Sequence, residues 1–165
     1  MMYISMSSMK QHFNPMLRWI HMLLLTLLVA QPAAADEMIE VSCTQPFSEA
    51  MMHLQSSITG AGYSVSRVQH VDMGLTAAGY ATDKYRLVFF GKAKDILWAR
   101  EKMPELLTLL PLKFIVYQDG ENASVVTLDP ATFAGIYPDP AAEHVFQRWS
   151  TDVRAIVEGV LACTE

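Results

Sequence analysis

Two cysteines, three histidines beyond residue 35 and a scatter of carboxylates are the side chains of this 165-residue chain that could carry chemistry. Met51-Met52-His53 places soft sulfur beside imidazole, a combination that suits copper in an exported protein. On a helix, however, Met51 joins an apolar stripe and His53 falls beside it. No H-x-x-x-H or Cys/His spacing supplies further ligands. His70 and Met73 form the local pair suited to axial ligation of a haem iron. There is no G-x-S-x-G for a nucleophilic serine. Asp72, Asp83 and Asp95 fall in or beside connections, where solvation or capping is the default role. Tyr63, Tyr85, Tyr117, Trp98 and Trp149 can line a ligand pocket or fill a core. Neither a cofactor nor a reaction is implied by these residues.

The two cysteines point to structure. Cys43 and Cys163 stand near opposite ends of the segment beyond residue 35, with no C-x-x-C between them. An even count in an exported chain predicts a disulfide between them. Export is read from the N-terminus. Lys10 and Arg18 precede the apolar run Trp19 to Ala30, and Ala33-Ala34-Ala35 supplies small residues at the positions a signal peptidase reads. The run is short for a membrane span, which needs about 20 apolar residues. Residues 1–35 are therefore expected to be a signal peptide cut before Asp36, leaving no stable membrane anchor and a periplasmic or secreted protein. Of the 12 basic residues, only Lys10 and Arg18 lie in that leader, and none of the 17 acidic ones does, so residues 36–165 carry a net charge of −7. An acidic chain of this size reads as one domain and not as a nucleic-acid binder, because phosphate binding needs a basic patch.

Hydrophobic periodicity sets the elements. Glu37 to Cys43 is a predicted strand. A helix opens at Pro46, carries Phe47, Met51, Leu54 and Ile58 on one stripe, and ends at Gly60-Ala61-Gly62. Tyr63 to Val71 is the second strand, with Tyr63, Val65, Arg67, Gln69 and Val71 on one face by simple alternation. Asp72 to Asp83 reads as a connection broken by Gly74 and Gly79. The third strand, Tyr85 to Phe90, is apolar on both faces apart from Arg86, as a central strand should be. Ala93 to Leu110 is helical and interrupted at Pro104. Leu112 to Gln118 and Ala123 to Leu128 are two strands joined by a hairpin signal at Asp119-Gly120. Asp129 to Pro138 reads as a loop. Asp139 caps the longest helix, with Pro140 at its first position and Val145, Trp149, Val153, Ile156 and Val160 on one stripe. The order β-α-β-β-α-β-β-α predicts an α+β domain over residues 36–165, a mainly antiparallel five-stranded sheet with helices packed on one face.

The chain resembles the domain-of-unknown-function-302 family of small bacterial α+β domains. The matching pieces are Pro46-Phe47, Gly62-Tyr63, His70-Val71-Asp72, Tyr85 to Gly91, Leu110-Pro111, Lys113 to Tyr117 with Asp119-Gly120, and Leu128-Asp129-Pro130, together covering residues 37–133. The resemblance implies a saddle-shaped sheet and helices, and members able to pair as dimers. Many members carry Cys-Asn-Pro where this chain has Gly91-Lys92-Ala93, and Leu-Pro-Cys where it has Leu110-Pro111-Leu112. A thiol role at those places does not carry over.

A strand that is apolar on both sides must present one apolar set away from the helices. Leu87 and Phe89 oppose Val88 and Phe90, and Ile115 and Tyr117 oppose Phe114 and Val116. An apolar patch on an exported protein marks an interface or a ligand groove. The expected ligand or interface residues are Phe89, Ile115, Tyr117, Tyr85 and His70, forming either a dimer interface or a hydrophobic pocket closed by the Asp72–Asp83 connection. The alternative is that Phe133, Ile136 and Tyr137 fold over and cover it. The expected function is that of an exported binding or accessory protein of the bacterial envelope. Its partner would be a small apolar ligand, a second copy of the chain, or another envelope protein. The alternatives are a metal- or haem-binding accessory protein and a small enzyme.

Overall fold

The computed structural model describes residues 37–161, so the predicted signal peptide and Cys163 lie outside the described residues. The elements run β1 (Met38–Cys43), α1 (Phe47–Gly60), β2 (Ser64–His70), α2 (Val71–Ala77), β3 (Tyr85–Gly91), α3 (Ala93–Lys102), a 3-10 turn (Pro104–Leu109), β4 (Leu112–Asp119), β5 (Asn122–Leu128), a second 3-10 turn (Pro130–Gly135) and α4 (Pro140–Leu161). The five strands form one antiparallel sheet in the order β1-β5-β4-β3-β2. This is the expected α+β architecture, with α1 and α4 packed together against the sheet.

Local chemistry accounts for the element ends. Asp139 caps α4, its carboxylate accepting from the amides of Ala141 at 2.8 Å and Ala142 at 3.3 Å. Pro104 ends α3 and starts a 3-10 turn, as an amide-free residue must. Gly62, at φ +74°, lets the chain leave α1, and the Tyr63 amide then returns to the Ile58 carbonyl at 3.1 Å. The hairpin is tighter than expected. Asp119 pairs with Asn122, so Gly120 and Glu121 alone form the turn, and Gly120 takes the positive φ of 60° that a type II′ turn requires first.

Two expectations are corrected. The Asp72–Asp83 connection is not irregular throughout, because its first turns form α2, a helix without a buried residue. Its sequence shows no apolar stripe, since the helix has no core to face. In β2, simple alternation fails. Val65 pairs with Phe90 and Arg67 with Phe89, so a β-bulge at Ser66 breaks the register. Val65 and Val68 both pair with residues facing the helices, while Arg67 and Gln69 pair with residues of the opposite face.

The core lies between the helices and one side of the sheet. Val88, Phe90, Phe114 and Val116 from the sheet are fully buried, as are Leu54 and Ile58 of α1 and Phe146 and Trp149 of α4. Phe90 and Phe114 stack with ring centroids 4.8 Å apart, and Phe146 lies 5.8 Å from Trp149. Gly159 is where α1 and α4 approach most intimately: a Cβ there would stand 2.7 Å from Ser57 Oγ.

Candidate functional site

The cross-strand register sorts the other face of the sheet into rows. Gln69 and Leu87 pair, and Leu87 pairs in turn with Ile115, which pairs with Val126 and then Glu40. In the next row Arg67 pairs with Phe89 and Phe89 with Lys113. Tyr85 pairs with Tyr117 and Tyr117 with Ser124. Tyr85, Leu87, Phe89, Ile115 and Tyr117 are half-buried, and among the described residues no helix lies above them.

One end of this face is a groove of about 540 Å³. Its floor is Phe89, Ile115, Val126 and Thr127, and one wall is the segment Thr108–Lys113. Met38, Leu128 and Phe133 complete it. The wall exists because Pro104 cuts α3 short: the chain then runs through the 3-10 turn and a cis Leu110–Pro111 peptide before entering β4. Polar groups here are mostly engaged. Thr127 Oγ1 donates to the Lys113 carbonyl at 2.8 Å, and the Thr108 and Tyr137 hydroxyls meet at 3.2 Å. A shallower depression at the other end is lined by Thr82, Asp83, Lys84, Tyr85, Ile115, Tyr117 and Gln118.

Four of the five expected site residues, Phe89, Ile115, Tyr117 and Tyr85, share this face. His70 does not: it pairs with Arg86, whose other neighbour is the core residue Val116, and it is exposed. The bulge at Ser66 makes residue counting along β2 misleading. The closing element also differs. The Asp72–Asp83 connection contributes only its end, at the shallow depression, and the groove is walled by Thr108–Lys113. Of the Asp129–Pro138 segment, Phe133 alone lines the groove, and the segment does not fold over the rest of the face. Its 3-10 turn packs on α4, with Phe133 and Tyr137 centroids 5.7 and 6.3 Å from Phe146, and Ile136 is 68% exposed. Sequence reading missed the Thr108–Lys113 wall and Val126, because which strands flank β4 follows from pairing alone.

The remaining polar clusters belong to the helical side. Asp95 is buried and accepts from Trp149 Nε1 at 2.9 Å and from both terminal nitrogens of Arg148, at 2.9 and 3.3 Å. Asp152 accepts from the Tyr63 hydroxyl at 2.7 Å and Lys92 Nζ at 2.9 Å, while Lys92 sits 4.0 Å over the Tyr63 ring. Burial opposes ionisation of Asp152, but the Tyr63 and Lys92 bonds outweigh it and hold the carboxyl below its usual range. Tyr63 is displaced upward, first by burial and then by its bond to that carboxylate. Asp129 is also below its usual range. Burial works against it, and the Ser150 hydroxyl, the Ala131 amide and Arg154 prevail. Asp72 is lowered by its hydrogen bond to Arg86, which ties α2 to β3. These groups satisfy one another around the core, as buried ionised groups must. None lines the groove.

No group of three or more His, Cys, Asp or Glu side chains with metal-site geometry occurs among the described residues. Met52 and Met73 are 59% and 63% exposed, and His70 is exposed, so neither sulfur–imidazole pair lies in an enclosed pocket. Cys43 is buried on β1, facing the helices, and as a thiol it is pushed up by burial, the opposite of an activated nucleophile.

Among solved structures, the chain is similar to that of an uncharacterized conserved DUF302 protein from Bacillus stearothermophilus. The TM-score is 0.71 at 17% identity, covering 76% of this chain and 99% of that one. At that identity the likeness speaks for the fold alone. No curated protein matches. The family model described as "Domain of unknown function DUF302" matches residues 39–162, most of the chain and nearly all of the described residues, and the chain therefore belongs to the DUF302 family.

Proposed function

We propose that this protein is an exported small binding protein that takes an apolar ligand in the groove on the open face of its sheet. The observation that carries the reading is the groove itself. Its volume of about 540 Å³ lies in the range of small-molecule sites, roughly 300–1,000 Å³, and its lining is predominantly apolar. Export is supported by the Lys10 and Arg18 region, the apolar run and Ala33-Ala34-Ala35. The companion expectation is a disulfide between Cys43 and Cys163, checked by counting free thiols in the exported protein.

Uptake of a neutral environment-sensitive dye such as N-phenylnaphthylamine tests the reading. Wild-type protein should enhance its fluorescence, and Ile115→Asp, which puts a carboxylate into the groove floor, should abolish the enhancement while the fold persists. Absence of dye uptake by the wild type, or undiminished uptake by the variant, overturns the proposal.

A second reading places a second copy of the chain, or an envelope protein, on the same face. It is favoured by the continuation of apolar surface past the groove to Leu87, Tyr85 and Tyr117. Sedimentation of wild type and Tyr117→Lys distinguishes it, because only a covered face would make self-association depend on Tyr117.

A further inference from the structure

We propose that the groove takes a single-chain amphiphile with an anionic head group, and that Lys113 and Arg67 hold the head. The inference rests on the groove reading above and names the class of ligand.

Lys113 is the one charged residue lining the groove, and it is exposed. The register sets Lys113 and Arg67 on either side of Phe89, across three adjacent strands, so two cations flank one aromatic ring at the groove's edge. The bulge at Ser66 makes this possible: Val65 and Val68 both pair with core residues while Arg67 stays in the open row. Bulges re-aim side chains in this manner beside binding sites.

Among the described residues neither cation meets a carboxylate within ion-pair distance, whereas Arg86, Lys92, Arg148 and Arg154 each do. The neighbouring acid, Glu40, is engaged by the Tyr117 hydroxyl at 2.7 Å. The chain as a whole is acidic, with a net charge of −5, so attraction for an anion must be local to this edge. An apolar trough with one cation in its wall and a second on the adjacent strand matches a ligand with an acyl chain and an anionic end. A neutral ligand would gain nothing from them, and a cationic one would be repelled.

Isothermal titration with dodecanoate, dodecanol and dodecylammonium, each below its micellar concentration, tests this on the exported protein. The anion should bind at least about fivefold more tightly than the alcohol, the scale of one exposed ion pair. Lys113→Gln and Arg67→Gln should each narrow that preference, and the double variant should bring the anion down to the affinity of the alcohol. Equal binding of anion and alcohol, tighter binding of the ammonium form, or a preference surviving in the double variant would overturn the inference and leave the groove reading intact. Failure of all three ligands overturns both. Binding to phosphatidylglycerol vesicles without uptake of free dodecanoate overturns it in favour of a membrane surface.

Discussion

The two faces of the sheet are built from the same kinds of residue and end in different states. On the helical face Val88, Phe90, Phe114 and Val116 are fully buried under α1 and α4. On the opposite face Leu87, Phe89, Ile115 and Tyr117 are likewise large and largely apolar, yet remain half-buried, with no helix crossing them among the described residues. Ionic chemistry divides the same way. On the helical side Asp95, Asp129 and Asp152 each hold a cation, while Arg67 and Lys113 on the open side meet no carboxylate among the described residues. Apolarity along a strand therefore says that burial is favourable, not that the fold supplies it. The face left uncovered is where binding free energy is still available.

That comparison can be broken most forcefully at Trp149. It is fully buried, and its indole nitrogen satisfies Asp95. Trp149→Ala should cost about 3–5 kcal/mol by denaturant unfolding, since it opens a cavity and removes a donor from a buried carboxylate. A loss below about 1 kcal/mol would mean that the helical face is not the core.

Gly159 tests how closely the helical layer is packed. A Cβ at 2.7 Å from Ser57 Oγ and 3.3 Å from Ser57 Cβ requires the Ser57 side chain to turn away or the two helices to separate. Gly159→Val should destabilise by about 1–3 kcal/mol, partly relieved by Ser57→Ala. Absence of that relief would place the strain elsewhere.

The carboxylates give the comparison a pH dependence. Asp152 and Asp129 have folded-state pKa values below their ordinary range. Their contribution is fully present above the unfolded value, about 4, and is lost as pH falls through the lower folded value. Thermal stability should therefore be level from neutrality to about pH 4 with respect to these groups and fall below it. Asp152→Asn should cost about 1–2 kcal/mol at pH 7, because a charge-assisted bond to Lys92 is lost, and should flatten the acid decline. An unchanged acid profile in the variant would remove Asp152 from this account.

On the open face the effect on stability should be the smallest. Tyr117→Lys removes one exposed hydroxyl bond to Glu40 and should change stability by less than about 1 kcal/mol. If the variant unfolds, the face is core and the contrast between the two sides collapses.

Much of this architecture was legible along the chain. The stripes of α1 and α4, the Asp139 cap, the break at Pro104 and the two-sided apolarity of β3 are local periodicities and local sterics, and each reappears in the fold. That Phe89, Ile115, Tyr117 and Tyr85 share one face was legible for the same reason, because alternation along β3 and β4 is regular. Where regularity fails, sequence reading fails with it. Nothing in Tyr63 to Val71 marks Ser66 as the bulged residue, so His70 was placed on the wrong side and Arg67 was not connected with Phe89.

By itself, the sequence determined which segments become helices and strands, α2 excepted, and that two strands must carry apolar residues on both sides, because backbone propensity and period are local properties. Only the tertiary structure decided that β5 lies between β1 and β4, that Thr108–Lys113 walls the groove, that Pro130–Gly135 turns toward α4, and that Arg67 and Lys113 flank one ring. Those outcomes depend on which surfaces compete for the same apolar cover. That competition is settled among residues far apart in the chain, where no local pattern records it.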